Sequence, residues 1–177
     1  MPINYNTVKV NLHTWATAVL PVGTPIIFWQ QNSPRPSVPY VTLHLDNFMA
    51  INQDWKNHLT NNLGDVLMKG DRNFTLSINA YGGDPITLLE NLRSSFQRNS
   101  SLALLRTYGI AFYQSETIND LSDLVDSKFE KRAQMDVRLG IGQNYDDNSG
   151  YFNIIQITET IFDQSNNIIY TQIINIP

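Results

Sequence analysis

The sequence predicts an α+β domain, a mainly antiparallel sheet with helices packed on one face. Three observations carry this reading. Two windows, 8–19 and 86–96, repeat apolar residues at helical spacing. Several others alternate apolar and polar residues with a period of two. The clearest of these, 72–81, has one fully polar face, which fits a sheet covered on one side better than a parallel sheet buried on both. Helices in two groups separated by runs of strands give the order of an α+β fold rather than alternating βαβ units.

The first helix places Val8, Leu12, Trp15, Ala16 and Val19 on one face, and Pro21 and Gly23 end it. Residues 26–29 read as a short buried strand. The next stretch, QQNSPRPSVPYVTL, holds Pro34, Pro36 and Pro39 within six residues and Arg35 as its one charge. Each proline lacks an N–H, fixes φ and extends the residue before it, so this arm is stiff and cannot join a sheet ladder. Beyond Pro39 the period is two, with Val41, Leu43 and Leu45 inward and Tyr40, Thr42, His44 and Asp46 outward. Residues 52–70 are polar and irregular and read as a connection.

In 72–81, Phe74, Leu76, Ile78 and Ala80 face the core, opposite Asn73, Thr75, Ser77 and Asn79. Gly82 and Gly83 break that strand, and Asp84 and Pro85 are suited to the N-cap and first residue of a helix. Ile86, Leu89, Leu92, Arg93 and Phe96 form its inward stripe. A second helix over 101–108 stops at Gly109, a C′ glycine, and 110–113 returns as a strand. A long strand follows, with Phe129, Lys131, Ala133, Met135, Val137, Leu139 and Ile141 alternating with Lys128, Glu130, Arg132, Gln134, Asp136 and Arg138. Two isoleucine-rich runs around a polar turn at 163–167 make a C-terminal hairpin at 150–177, apolar on both faces. One face is expected to pack on the sheet and the other to meet a partner.

The chain has 177 residues with no internal repeat or linker, and a single domain over 1–177 is expected. It lacks cysteine, which excludes disulfides and thiolate chemistry. The N-terminus has no basic region followed by an apolar run, and no stretch reaches the roughly 20 apolar residues of a membrane helix. Neither secretion nor membrane insertion is expected. Net charge is −4, and the 12 basic residues are scattered, so no phosphate-binding stripe is present. Charged residues are only 16% of the chain, below the usual quarter or so. Two readings stay open: the bias of an AT-rich genome, or a surface buried against other subunits, where charge is costly to desolvate.

Few residue patterns in the chain point to catalysis or metal binding. His13, His44 and His58 do not pair at i+3 or i+4, as a helical metal site requires. The glycines at 82–83 and 140–142 lack the lysine and threonine of a phosphate-binding loop. Asp120, Asp123 and Asp126, spaced by three, lack the glycine and terminal glutamate of a calcium loop; a short helical turn with Leu121, Leu124 and Val125 inward is expected. Asn73-Phe74-Thr75 and Asn99-Ser100-Ser101 match glycosylation sequons, without meaning in a chain that carries no secretory signal. Catalytic residues, metal and cofactor are all expected to be none.

Three stretches carry a resemblance: WQQNSPRPSVPYVTLHL, FTLSINAYGGDPITLLENLRSSF and INDLSDLVDSKFEKRAQMDVRLGI. The most specific residues are Gln31, Asn32, Pro34, Arg35, Pro36, Pro39, Tyr40, Val41, Thr42 and Leu43. A second marker is Asp120, Leu121, Asp126, Phe129, Glu130, Arg132, Ala133 and Asp136. Over about 15–141 the chain resembles the neck or tail terminator proteins of tailed bacteriophages. The resemblance implies a small α+β domain assembling into a homohexameric ring that caps the tail tube and joins it to head-tail connector proteins. The partners implied are further copies of the chain, the tail tube protein, the sheath and the connector, with DNA passing through without specific binding. It implies no cofactor and no enzyme, and a place in the virion neck after assembly in the host cytoplasm. Within such a ring, Arg35, Pro36, Tyr40, Glu130, Arg132 and Asp136 are the expected intersubunit contacts. A head-closure or tail-completion protein of the neck is the alternative.

Overall fold

A computed structural model describes residues 3–29, 34–60, 65–125, 128–148 and 155–176. Its contacts divide the chain into two compact units, Met1–Lys56 with Met68–Tyr145, and Asn57–Leu67 with Asp146–Pro177. In chain order the elements are α1 (Tyr5–Val19), β1 (Ile26–Phe28), β2 (Tyr40–Ala50), β3 (Trp55–Thr60), β4 (Asp65–Tyr81), α2 (Pro85–Ser95) and α3 (Asn99–Thr107). There follow β5 (Ile110–Ser115), β6 (Asn119–Asp120), β7 (Asp123–Val125), β8 (Lys128–Glu130), β9 (Arg132–Asn148), β10 (Ile155–Phe162) and β11 (Ile168–Ile176).

The main sheet runs β1-β2-β4-β9-β5, with β3 beside β4 and β6 beside β9. The pair β1–β2 is parallel, whereas β2–β4, β5–β9 and β6–β9 are antiparallel. One sheet face supplies Val41, Leu43, Leu45, Phe74, Leu76, Ile78, Ala80, Ala133, Met135, Val137 and Leu139, all buried. The helices cover this face with Val8, Leu12, Trp15 and Ala16 of α1, Leu88, Leu89 and Leu92 of α2, and Leu105 of α3. The α+β architecture with helices on one face is therefore what the structure has.

Local chemistry explains the helix ends. The Asn4 side chain caps α1, accepting from the N–H groups of Asn6 and Thr7 at 3.0 and 3.2 Å. Asp84 caps α2, with Pro85 in its first turn, as the sequence predicts. Gly109 follows α3 at a φ of 69°, a left-handed position that suits glycine. No described helix is long and apolar enough to cross a membrane.

Several expectations are corrected. The strand expected at 26–29 is only partly buried, and Trp29 lies outside it, 54% exposed, edge-on to the His44 ring. Residues 52–70 are not a connection, because β3 and the first part of β4 lie there. A ladder needs backbone partners and no apolar alternation, so a strand with polar residues on both faces leaves no periodic signal. On α2 the inward stripe is Leu88, Leu89, Leu92 and Phe96, while Ile86 is 42% exposed. Tyr40 and Thr42, expected to face water, are buried as well, since the second sheet face is also partly covered. The long strand begins at Arg132, and Phe129 and Lys131 stand outside the core. Asp120 and Asp123 lie on the short strands β6 and β7 rather than on a helical turn. Asp126, Gln31 and Asn32 fall outside the described residues.

The C-terminal hairpin forms as predicted, around a turn in which Asp163 accepts from the N–H groups of Ser165 and Asn167. Its register puts apolar side chains on both faces, as expected. Ile157 opposes Ile174 and Ile161 opposes Tyr170 on one face, while the pair Phe162–Ile168 joins Thr158, Thr160, Thr171 and Ile173 on the other. Ile157, Ile173 and Ile174 are 47%, 55% and 40% exposed, so neither face is shielded.

Candidate functional site

Tyr40 opens β2 directly opposite Tyr81, the last residue of β4, and the two rings stack at 4.7 Å. This pair ends the ladder where the proline arm arrives. The Arg35 guanidinium lies 5.9 Å from the Tyr81 ring centre and that of Arg132 lies 5.4 Å from it. One electron-rich ring therefore serves two cations. Arg132 is further held by Asn79, whose Oδ1 accepts from Nε at 3.3 Å and from Nη2 at 2.9 Å. Asn79 is buried and Arg132 satisfies its carbonyl, as a buried polar group requires. Burial raises the Tyr40 phenol above its ordinary value, so it stays a neutral ring at any physiological pH.

The Arg35 Nη1 donates to Glu130 Oε1 at 3.3 Å. The Arg35 side chain is 72% exposed, so this contact contributes under about 1 kcal/mol. The pair orients the arm rather than stabilising the fold. Gly82 permits the arm's close approach, because its φ is 71° and a Cβ there would lie 2.4 Å from Val38 Cβ. The Gly82 N–H donates to the Lys131 carbonyl at 2.8 Å, tying the end of β4 to the residue between β8 and β9.

These elements enclose an open cleft of about 530 Å³ lined by Arg35, Val38, Gly82, Gly83, Phe129, Glu130 and Lys131. Phe129 and Val38 are 65% and 59% exposed in it. A neighbouring cleft shares Gly83, Phe129 and Lys131 and continues over Ile86 to Asp120 and Ser122. The Asp120 side chain accepts from the Ser122 N–H and hydroxyl, which lowers its pKa, and the Ser122 Oγ accepts from the Arg132 N–H. The aspartate thus shapes a turn on the flank of β9. Among the described residues no group of three His, Asp or Glu could hold a metal. The arrangement is an exposed aromatic and aliphatic patch bordered by orientable charges, which is chemistry for protein contact.

Of the six residues expected at subunit contacts, the fold brings Arg35, Tyr40, Glu130 and Arg132 together around Tyr81. Pro36 lies half-buried in the arm. Asp136 lies further along β9, past this cluster, where it accepts from Gln134. Tyr81, Val38 and Phe129 are the members the sequence reading missed or misplaced. A Phe in an alternating run reads as core, and the break between β8 and β9 at Lys131 takes Phe129 out of that run, whereas Tyr81 closes its strand on the polar face with no signal of a ring partner.

A second cluster was also missed. Arg72 Nη1 and Nη2 donate to the two carboxylate oxygens of Asp54 at 2.6 and 2.7 Å, and the Tyr145 hydroxyl donates to Asp54 Oδ2 at 2.8 Å. The Arg72 guanidinium first, and then Tyr145, hold the Asp54 carboxyl down at about 2. Gly70 makes room, since a Cβ there would meet Asp54 Oδ1 at 2.1 Å. Nothing in the local sequence links residues 54, 72 and 145.

No curated protein sequence matches the chain. Among solved structures, the sheath/tube terminator of an extracellular contractile injection system (PVC, extended state) is similar over 93% of this chain, with a TM-score of 0.44 and 10% identity. The chain spans 65% of that protein's length. A family model, described as phage neck terminator protein, matches residues 7–168, from within α1 to the start of β11. The chain therefore belongs to the phage neck terminator family.

Proposed function

We propose that the chain works as one terminator domain over residues 1–177, that six copies close into a ring capping the tail tube, and that the ring joins the tube to the head-side connector. The observation that carries this is the open Val38–Phe129 cleft bordered by the Arg35–Glu130 pair. Exposed aromatic and aliphatic side chains rimmed by charge have the build of a subunit contact. A proline-stiffened arm loses little entropy on docking, so it suits an element ordered against a neighbour. Its partners are further copies of the chain, the tail tube protein, the sheath and the connector. The protein is non-catalytic and binds no cofactor. It is made in the host cytoplasm, and DNA passes through the ring without specific capture.

Electron microscopy of the virion neck, or of purified protein bound to tail tubes, tests the assembly. Sixfold symmetry around a central channel is expected. Fivefold or twelvefold symmetry, or attachment to the head connector with none to the tube, overturns it.

A further inference from the structure

Charge is segregated between the two units. All 12 Lys and Arg fall in 1–56 and 68–145, together with eleven of the 16 Asp and Glu. The second unit carries Asp65, Asp146, Asp147, Glu159 and Asp163 and no Lys or Arg at all. Its hairpin shows one face on which the pairs Ile157–Ile174 and Ile161–Tyr170 flank the pair Glu159–Gln172. The four apolar side chains are 40–47% exposed, so the face is an apolar surface with one carboxylate at its centre. A two-stranded hairpin is marginal in water and needs a covering surface.

The Val38–Phe129 cleft has the complementary build. Its exposed apolar side chains are bordered by Arg35 and Lys131 and only one carboxylate, Glu130. The Lys131 ammonium donates to the neutral Gly83 carbonyl at 3.3 Å, so an incoming carboxylate would add a charge-assisted bond.

We infer that the apolar face of the β10–β11 hairpin of one copy seats on the Val38–Phe129 cleft of a second copy, with Glu159 meeting Lys131. The inference rests on the ring reading and specifies its contact. Donor and acceptor are different surfaces, so the contact is head-to-tail, the kind that closes into a ring when its rotation permits. The carboxylates of one copy's acidic unit are drawn to Arg35 and Lys131 at the cleft of the next, and hairpin-to-hairpin pairing is disfavoured.

The chain has no cysteine, so introduced thiols report without background. Lys131→Cys and Glu159→Cys are prepared as separate proteins, mixed, assembled on tail tubes and oxidised. The expected product is a disulfide joining one chain of each kind, with none from either variant alone, because the bond needs Cα atoms within about 7 Å. As a second test, Lys131→Glu and Glu159→Lys are each expected to lower the yield of tube-bound rings at least about tenfold, and the double reversal to restore it. Rings that form without the mixed disulfide, or a double reversal that rescues nothing, overturn the docking and leave the ring intact. A Lys131→Cys/Glu159→Cys chain whose disulfide closes only within itself overturns it too. If the unmodified protein forms no rings on tubes, the ring reading fails and the docking fails with it.

Discussion

Replacing Trp15 probes the core directly. Its side chain is wholly buried in the cluster with Val8, Leu12 and Ala16 and stacks on Phe96 at 4.8 Å, which in turn stacks on Phe112 at 4.4 Å. Trp15→Ala removes the indole from this column and leaves a cavity that the rigid sheet behind it cannot fill. The expected loss is about 3–5 kcal/mol, of which ring stacking accounts for about 0.5–1.5 kcal/mol. That is a large fraction of the roughly 5–15 kcal/mol a domain has in total. Among the described residues, however, the indole N–H finds no acceptor, and a buried unpaired donor costs about 1–3 kcal/mol. Trp15→Phe keeps an aromatic ring against Phe96 and removes that donor. Its two effects oppose each other, and the net loss is expected below about 2 kcal/mol. Urea unfolding of the unassembled protein, followed by far-ultraviolet circular dichroism, measures both variants on one scale. A Trp15→Ala loss under about 1 kcal/mol would place the ring at the surface. A Trp15→Phe loss equal to that of alanine would refute the unpaired-donor argument.

Three further outcomes are expected. Deleting residues 150–177 leaves the urea midpoint nearly unchanged, because every residue of the described core cluster lies within 8–139, but abolishes ring formation on tubes; a chain that simply unfolds contradicts this. The Asp54 carboxyl sits at about 2 in the folded protein against 3.8 ordinarily, so its contribution is complete above about pH 4 and is lost as pH falls toward 2. Acid titration should therefore show wild type losing stability in that window while Arg72→Met loses less there, and identical acid profiles would remove the pair from the account. Duplex DNA should show no measurable binding at physiological salt, consistent with a net charge of −4, whereas a salt-sensitive submicromolar affinity would contradict passive passage.

The sequence by itself determined the elements whose periodicity reports burial on one side. Val8 to Ala16 recur at helical spacing because one stripe of α1 must leave water. Phe74 to Ala80 alternate because β4 has one face on the core. The Asp84-Pro85 start of α2, Gly109 after α3 and the polar turn of the hairpin were legible because caps and turns are settled by one or two residues. The arm with Arg35 and the 120–136 markers carried the family resemblance in the same way, as contiguous strings.

Tertiary structure decided what depends on partners distant in the chain. Strand β3 was invisible because backbone pairing leaves no trace in side-chain alternation. Phe129 read as core because a period of two says that it alternates, not where its strand ends; the break at Lys131 turned it into the cleft. Glu130 as the companion of Arg35, 95 residues away, and Arg72 with Asp54 and Tyr145 exist only once the sheet brings them together. In the hairpin, composition alone made both faces look alike. Register distinguishes them, because it places Glu159 opposite Gln172 between the pairs Ile157–Ile174 and Ile161–Tyr170, so that one apolar face and not the other carries a carboxylate.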